Sequence, residues 1–144
     1  MIREITREDL GGLMSLYAQL HAEPAPEDAR RAREVLDAIL CDPSHHIIAA
    51  EEQGSIVSSC VLVIIPNLTR GQRPYALVEN VVTDAAHRRR GLASACLEYA
   101  REIASKENCY KIMLMTGSKD PATLRFYERA GYNSSDKTAF IRWL

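Results

Sequence analysis

The fold is decided by residues 75–93, which read Tyr75-Ala76-Leu77-Val78-Glu79-Asn80-Val81-Val82-Thr83-Asp84-Ala85-Ala86-His87-Arg88-Arg89-Arg90-Gly91-Leu92-Ala93. The first half is nearly apolar on both alternating faces, which is typical of a strand in the interior of a sheet. The second half is rich in donors, and apolar residues follow it at helical spacing as far as Lys106. This junction predicts a turn from a buried central strand into an amphipathic helix.

The turn itself has the composition of an anion site. Backbone N–H groups at the start of a helix, reinforced by the helix dipole, bind phosphate readily. Gly91 and Ala93 are small, so an anion could approach the main chain closely. A short basic string can equally be a solvated loop before a helix. The strand before it and the helix after it favour the anion site, and the missing Lys-Ser/Thr ending argues against a nucleotide P-loop.

The rest of the chain predicts one α/β domain spanning residues 1–144, in the order β-αα-β-β-β-α-β-α-β. We expect a mixed, mostly antiparallel twisted sheet with about four helices, because the helix between two consecutive strands makes those strands parallel neighbours. The predicted elements are a short opening strand, a helix from about Arg7 with a capping box at Thr6 and Asp9, a break at 21–28, a helix over 32–40, a hairpin over 46–65, the central strand 75–83, a helix over 91–106, a strand over 110–115, a helix from Asp120-Pro121 to Gly131, and a last strand over 137–144.

Bulk composition excludes several classes of function. The 144 residues are 47% hydrophobic and 26% charged, as in an ordinary globular domain. A formal net charge of −1 argues against a nucleic-acid-binding protein. The longest apolar run, Cys60–Pro66, is too short to cross a bilayer.

The cysteines and the amino terminus indicate where the protein works. Residues 1–6 lack the pattern of a signal peptide. The cysteines have no spacing typical of a metal site or a redox motif, so we expect no metal and free thiols in the cytoplasm; they are Cys41, Cys60, Cys96 and Cys109.

Two motifs together resemble the GNAT superfamily of N-acetyltransferases. The family signature after the fourth strand is Gln/Arg-x-x-Gly-x-Gly/Ala, and Arg88, Gly91 and Ala93 match it. The later segment 126–132, Phe-Tyr-Glu-Arg-Ala-Gly-Tyr, also falls where the family has it. The resemblance extends over essentially the whole chain.

The resemblance implies acetyl-CoA as cosubstrate. In the family, backbone groups of a bulged, splayed central strand bond the pantetheine arm, and by position these are Val81, Val82 and Thr83. Main-chain N–H groups of the signature loop would hold the pyrophosphate, and Arg89 or Arg90 could reach the 3′-phosphate. The loop residues are Arg88, Arg89, Arg90, Gly91, Leu92, Ala93 and Ser94.

Two side chains are candidates for the chemistry of acetyl transfer. Glu79 is a carboxylate in an otherwise apolar strand, where an unpaired charge is costly, so it is our candidate general base. A buried ion pair is the alternative role for Glu79. Tyr127 matches a tyrosine that many family members place beside the cofactor sulfur as general acid; core packing is its alternative. The resemblance implies the N–H of Val82 as oxyanion donor.

Other positions depart from the family or compete with these roles. The usual helix pattern Asn-x-x-Ala-x-x-Leu-Tyr has Asp120, Thr123 and Phe126 here, and Asp120 can cap the helix but cannot donate an amide hydrogen bond. An acyl-cysteine mechanism through Cys96 or Cys109 is the competing chemistry. We expect both cysteines to pack as small hydrophobic side chains.

The acceptor is predicted only as a class, a small primary amine, with a peptide amine as the alternative. The acidic segment 21–28 suits a cationic amine, whereas Lys119, Arg125 and Lys137 suit a phosphate or carboxylate. Residues 78–82, Val-Glu-Asn-Val-Val, resemble those of enzymes that acetylate a phosphorylated amino sugar. A non-catalytic acetyl-CoA-binding module is the alternative function, and the family resemblance implies a homodimer formed through the terminal strands.

Overall fold

The computed structural model describes residues 1–21 and 28–144 of the chain. The predicted elements are found in the predicted order up to the last helix. They are β1 (Ile2–Glu4), α1 (Leu10–His21), α2 (Ala29–Cys41), β2 (His45–Glu52), β3 (Ser55–Ile65), β4 (Tyr75–Thr83), α3 (Leu92–Lys106), β5 (Ile112–Leu114) and α4 (Pro121–Arg129), with 3-10 turns at Arg7–Asp9 and Ala85–His87.

The five strands form one sheet in the order β1-β2-β3-β4-β5. β1 to β4 are antiparallel, and β4 pairs in parallel with β5. α3 makes the crossover between those two parallel strands, as parallel neighbours require. The prediction of an α/β fold with a mixed, mostly antiparallel sheet is confirmed.

Helices cover both faces of the sheet. On one face, Leu13 of α1 and Leu36 of α2 pack against Ile47 and Val61. On the other face, α3 and α4 pack against residues of β3 and β4, and this larger cluster contains Cys60, Leu62, Val78, Cys96, Ala100, Phe126 and Tyr127. Because β3 and β4 are covered on both sides, their sequences are nearly continuous apolar runs.

The predicted start of the first helix is a 3-10 turn that continues into α1. The Thr6 N–H donates to Asp9 Oδ2 at 2.7 Å, one half of the predicted capping box. Arg3 donates to both carboxylate oxygens of Asp9 at 2.7 and 2.8 Å. These bonds to Arg3 lower the pKa of Asp9 to about 2. The predicted helix break at 21–28 lies for the most part outside the described residues.

The prediction of a last strand over 137–144 is wrong. These residues form no strand, and Phe140 and Trp143 are 91% and 84% exposed. A strand forms only where an edge can accept its ladder of hydrogen bonds, and β5 is shorter than predicted, three residues in place of six. The tail forms no ladder with β5 or with any other described strand, so its apolar side chains stay exposed.

The helices of the described residues are short. The longest, α3, has 15 residues, and none combines the length and apolar character that a membrane span requires.

Candidate active site

A bulge interrupts β4 at the point where the resemblance implies one. Val61 pairs with Glu79 and Ser59 pairs with Val82, so Cys60 alone faces both Asn80 and Val81. Asn80 has φ 50°, the left-handed conformation that asparagine tolerates better than most residues. The bulge bends the strand immediately after Glu79.

β4 also loses its neighbour at this point. β5 pairs only with Ala76, Leu77 and Val78. From Glu79 to Thr83, no described strand lies on that side of β4, so the sheet opens into a gap. Unpaired main-chain groups in such a gap can bond an extended ligand, as β-strand addition does.

A buried hydrogen bond fixes the far end of the gap. The Ser58 side chain is fully buried, and its hydroxyl donates to Val82 O at 3.0 Å. The Ser58 hydroxyl also lies 2.7 Å from Thr83 Oγ1. Sequence reasoning missed Ser58, although a polar residue within the apolar run of β3 is a signal for a buried hydrogen bond.

The turn between β4 and α3 exposes backbone donors. The first N–H group of α3 that donates a hydrogen bond to a described residue is that of Ala95, which bonds Gly91 O at 3.0 Å. The N–H groups of Leu92, Ala93 and Ser94 therefore have no acceptor among the described residues. Gly91 has φ 78°, and a Cβ built there would meet no atom within 4 Å. The start of α3 is thus an open cradle of donors, and we refer to residues 84–94 as the cradle.

The three arginines of the cradle differ in their contacts. Arg88 Nε donates to Thr83 O at 3.3 Å, which braces the turn against the end of β4. Arg89 is exposed in the left-handed region, at φ 61°, and makes no ion pair with any described residue. Arg90 is paired with Glu52 through both terminal nitrogens, at 2.9 and 3.0 Å. Of the three arginines, only Arg89 could bind a ligand without first breaking a contact to a described residue.

The first residue of the cradle is held from α1. Gln19 Nε2 donates to Asp84 Oδ2 at 2.8 Å, and Gln19 Oε1 accepts from Ala85 N–H at 3.1 Å. The hydrogen bonds from Gln19 and from His87 lower the pKa of Asp84 to about 2. Sequence reasoning missed this contact, because 65 residues separate Gln19 from Asp84.

α4 presents Tyr127 from a well-defined helix. Asp120 caps the start by accepting from Ala122 N–H at 3.0 Å, and Gly131, at φ 93°, ends the helix while Tyr132 N–H bonds Tyr127 O at 3.1 Å. These caps confirm the bounds predicted from Asp120-Pro121 and Gly131. Replacing the family's asparagine by Asp120 thus leaves the cap intact.

The Tyr127 ring packs between two aromatic neighbours. Its centroid lies 4.9 Å from that of Phe126 and 6.4 Å from that of Tyr132. Burial raises the pKa of Tyr127, and the negative charge of Glu79 raises it further. The phenol is therefore a proton donor at neutral pH, close enough to Glu79 to feel its charge.

Glu79 is half-buried, directly before the bulge. None of the ion pairs among the described residues includes it. The alternative role of Glu79 in an ion pair therefore has no partner in the part of the chain that the structure describes.

The cysteines are poorly suited to nucleophilic chemistry. Cys96 is fully buried, and burial raises its pKa to about 11. Burial also raises the pKa of Cys60 and of Cys109. A thiol with a raised pKa is a poor source of thiolate at neutral pH. Residues 1–21 and 28–144 contain no cluster of three or more His, Cys, Asp or Glu side chains arranged to hold a metal.

Comparison with known proteins agrees with this geometry. Residues 11–132 match the acetyltransferase (GNAT) family. The chain is 28% identical to glucosamine 6-phosphate N-acetyltransferase of Trypanosoma brucei brucei over 94% of this chain and 90% of that protein. It is 31% identical to glucosamine 6-phosphate N-acetyltransferase 1 of Oryza sativa subsp. japonica over 91% of this chain and 79% of that protein.

A solved structure is more similar in sequence. A proposed acetyltransferase from Agrobacterium tumefaciens str. C58 is 42% identical, covers 99% of both chains and superposes with a TM-score of 0.92. Family signature, fold and relatives agree. The chain therefore belongs to the GNAT family of acetyltransferases and is an N-acetyltransferase that acts on amino groups.

Proposed function

We propose that this enzyme transfers the acetyl group of acetyl-CoA directly to the primary amine of a small phosphorylated amino sugar, glucosamine 6-phosphate. The transferase part of the proposal is supported by the order of features along residues 79–94, where Glu79, the gap beside β4 and the donors of the cradle follow one another, and by Tyr127, whose pKa the charge of Glu79 raises. The acceptor is proposed from the relatives in Trypanosoma and Oryza that are named for it.

The cradle has the properties that a pyrophosphate requires. The unpaired N–H groups of Leu92, Ala93 and Ser94 point out of the start of α3, and the absence of a side chain at Gly91 leaves room for the anion. Main-chain groups of residues 81–83 border the gap and could bond an extended pantetheine arm. Arg89 is our candidate for contact with the 3′-phosphate. Bound acetyl-CoA would supply the activated acetyl thioester.

Side chains of this protein would carry out the proton transfers of the reaction. The Glu79 carboxylate accepts a proton from the acceptor ammonium, directly or through water, so that a neutral nitrogen can attack. A main-chain N–H on the gap side of β4, that of Val81, donates to the oxygen that becomes negative. The resemblance implied the N–H of Val82, but Val82 O accepts from Ser58 of β3, and the N–H and C=O of one strand residue point to the same side. Tyr127, kept neutral by its raised pKa, donates its proton to the departing sulfur. Direct transfer is favoured over an acyl-cysteine because burial raises the pKa of the cysteines of this core.

A phosphorylated acceptor also fits the exposed charges near α4. Lys119, Arg125 and Lys137 are exposed and make no ion pair among the described residues. A phosphate on the acceptor would find cations there, whereas a polyamine would be repelled. The acidic segment that would favour a polyamine falls largely on residues 22–27, outside the described residues. With four free cysteines, this small-molecule chemistry fits a reducing cytoplasm.

The test is calorimetric titration with acetyl-CoA, followed by a thiol-release assay over several acceptors. We expect acetyl-CoA to bind more tightly than ATP, and thiol release with glucosamine 6-phosphate to exceed that with glucosamine, spermidine, an aminoglycoside or a peptide. Glucose 6-phosphate, which lacks the amine, is the control. Acetyl-CoA binding without thiol release in the presence of any of these amines would favour the non-catalytic acetyl-CoA-binding module. Greater thiol release with another amine would mean that this other amine, and not glucosamine 6-phosphate, is the acceptor.

Replacement of Glu79 tests the general base. We expect Glu79→Gln to lower kcat about tenfold or more at neutral pH, because the acceptor ammonium loses its proton acceptor. The rate of this variant should rise with pH as the free amine becomes abundant in solution, whereas acetyl-CoA affinity stays unchanged. Glu98→Gln, an exposed glutamate on α3 paired only with Arg101, is the matched control. A wild-type pH profile in Glu79→Gln would exclude Glu79 as the base.

We also propose that two copies of the chain associate through the tail 137–144. Phe140 and Trp143 are almost fully exposed, and a second copy would remove them from water. Sedimentation equilibrium should find a dimer for the wild type and a monomer for Phe140→Ser/Trp143→Ser. Leu68→Ser, at an apolar residue 87% exposed outside the tail, should leave the dimer intact. A monomeric wild type would contradict the proposal.

A further inference from the structure

The cradle is tied to the rest of the fold by a chain of polar side chains that runs from α1 to the end of β2. Gln19 bonds Asp84, and Asp84 Oδ1 lies 2.6 Å from His87 Nδ1. His87 Nε2 lies 4.0 Å from Glu52 Oε2, and Glu52 pairs with Arg90. This chain of contacts reaches the cradle from two elements that are far from it in sequence.

Glu52 is the outer anchor of this chain. It is the last residue of β2, and its two oxygens lie 3.0 and 2.9 Å from the two terminal nitrogens of Arg90. A bidentate carboxylate–guanidinium pair fixes the orientation of both groups as well as their separation. The Glu52 side chain is only 28% exposed, so β2 limits how far it can follow a moving arginine.

Arg90 stands directly before Gly91, the residue that caps α3 in the left-handed conformation. Holding its side chain back towards β2 holds the backbone that turns the donors of α3 outward. The pair also directs the Arg90 guanidinium at a carboxylate of its own chain. Arg90 could bind a ligand phosphate only if its ion pair with Glu52 were broken.

We infer that Arg90 is a positioning residue and not a phosphate ligand, and that Glu52, through its pair with Arg90, holds the cradle in the conformation that accepts the pyrophosphate. This inference rests on the proposed function, since it assumes that the cradle binds acetyl-CoA. It changes the expectation from sequence, in which Arg89 and Arg90 were equal candidates for the 3′-phosphate. Glu52 has no part in the family signature.

The two roles of Arg90 predict opposite effects of removing Glu52. If Arg90 were a phosphate ligand, Glu52 would compete with the phosphate, and Glu52→Gln would tighten the binding of CoA. If Arg90 positions the cradle, Glu52→Gln weakens binding, by about fivefold for a half-exposed bidentate pair. The sign of one measured change therefore separates the two roles.

The experiment is calorimetric titration of the full chain with CoA and with dephospho-CoA, which lacks the 3′-phosphate. We expect Glu52→Gln and Arg90→Gln each to lower the affinity for both ligands about fivefold. The double variant should bind both ligands no more weakly than either single variant does. The ratio of the two affinities should equal that of the wild type in all three variants. A merely destabilised loop would not produce this non-additivity.

The neighbouring Glu51 provides the matched control. It is also a β2 glutamate, but it pairs with Arg3, at 2.8 Å, away from the cradle. Glu51→Gln should leave both affinities unchanged. Tighter or unaltered CoA binding in Glu52→Gln, or an Arg90→Gln variant that weakens CoA but not dephospho-CoA, would overturn the inference while leaving the proposed function in place. If the wild type binds neither ligand, the proposed function fails and this inference fails with it.

Discussion

Gly91→Glu is expected to weaken acetyl-CoA binding by roughly a hundredfold or more, because it places a carboxylate where the pyrophosphate should lie. Gly91 precedes the three N–H groups that have no acceptor among the described residues. A Cβ at this position meets no atom within 4 Å, so the new side chain causes no steric clash and adds its negative charge directly before the three N–H groups. The variant should therefore fold and fail to bind.

The backbone strain of this substitution needs its own control. Gly91 has φ 78°, and a residue with a side chain in that conformation costs about 1–2 kcal/mol. Gly71 has φ 69° and equally open surroundings in the loop between β3 and β4, so Gly71→Glu carries the same strain and charge far along the chain from the cradle. Gly71→Glu should lower Tm about as much as Gly91→Glu does, but its affinity for acetyl-CoA should equal that of the wild type.

Gly91→Ala separates strain from charge at the same position. It should lose little affinity compared with Gly91→Glu, since it adds no negative charge to the cradle. Titration calorimetry and thermal unfolding of the three variants measure affinity and stability separately. Normal acetyl-CoA binding by a folded Gly91→Glu variant would remove the cradle from the proposed site.

The sequence was sufficient for elements that local patterns define. β4 and its flanking turn were predicted within a residue because a nearly apolar strand, a donor-rich turn and a helical repeat follow one another without interruption. The caps at Asp120 and Gly131 were equally predictable, since capping depends on the residue itself and its near neighbours. The position of the bulge came from the family resemblance and not from the pattern of β4.

The sequence was insufficient where a partner far along the chain decides the outcome. The tail 137–144 has the composition of a strand, yet it pairs with no described strand of the same chain. The pairing of Arg90 with Glu52 joins residues 38 positions apart, and nothing in the basic string distinguishes Arg90 from Arg89. Strand pairing and ion pairing depend on residues far apart in the chain. Local patterns therefore predict too many strands at the edge of the sheet and do not show which charged side chains are already paired.

Tyr127→Phe is expected to lower kcat by roughly a hundredfold, the contribution of a well-placed general acid. The substitution removes only the hydroxyl, and the ring keeps its packing against Phe126 and Tyr132. Acetyl-CoA affinity and Tm should therefore remain close to those of the wild type. A side chain that served only to fill the core would show the reverse, normal turnover with at most a small change in Tm.

The raised pKa of Tyr127 fixes how this effect should depend on pH. Burial and the charge of Glu79 favour the neutral phenol, so Tyr127 keeps its proton at every pH below about 10, the ordinary tyrosine pKa. The wild-type rate should show no loss through Tyr127 in that range, and the ratio of wild-type to Tyr127→Phe rates should stay constant from neutral to mildly alkaline pH. Tyr132→Phe, with a neighbouring phenol whose pKa burial raises to about 12, is the matched control and should turn over normally. If Tyr132→Phe loses as much activity as Tyr127→Phe, the loss comes from the aromatic cluster and the assignment of Tyr127 as the general acid falls.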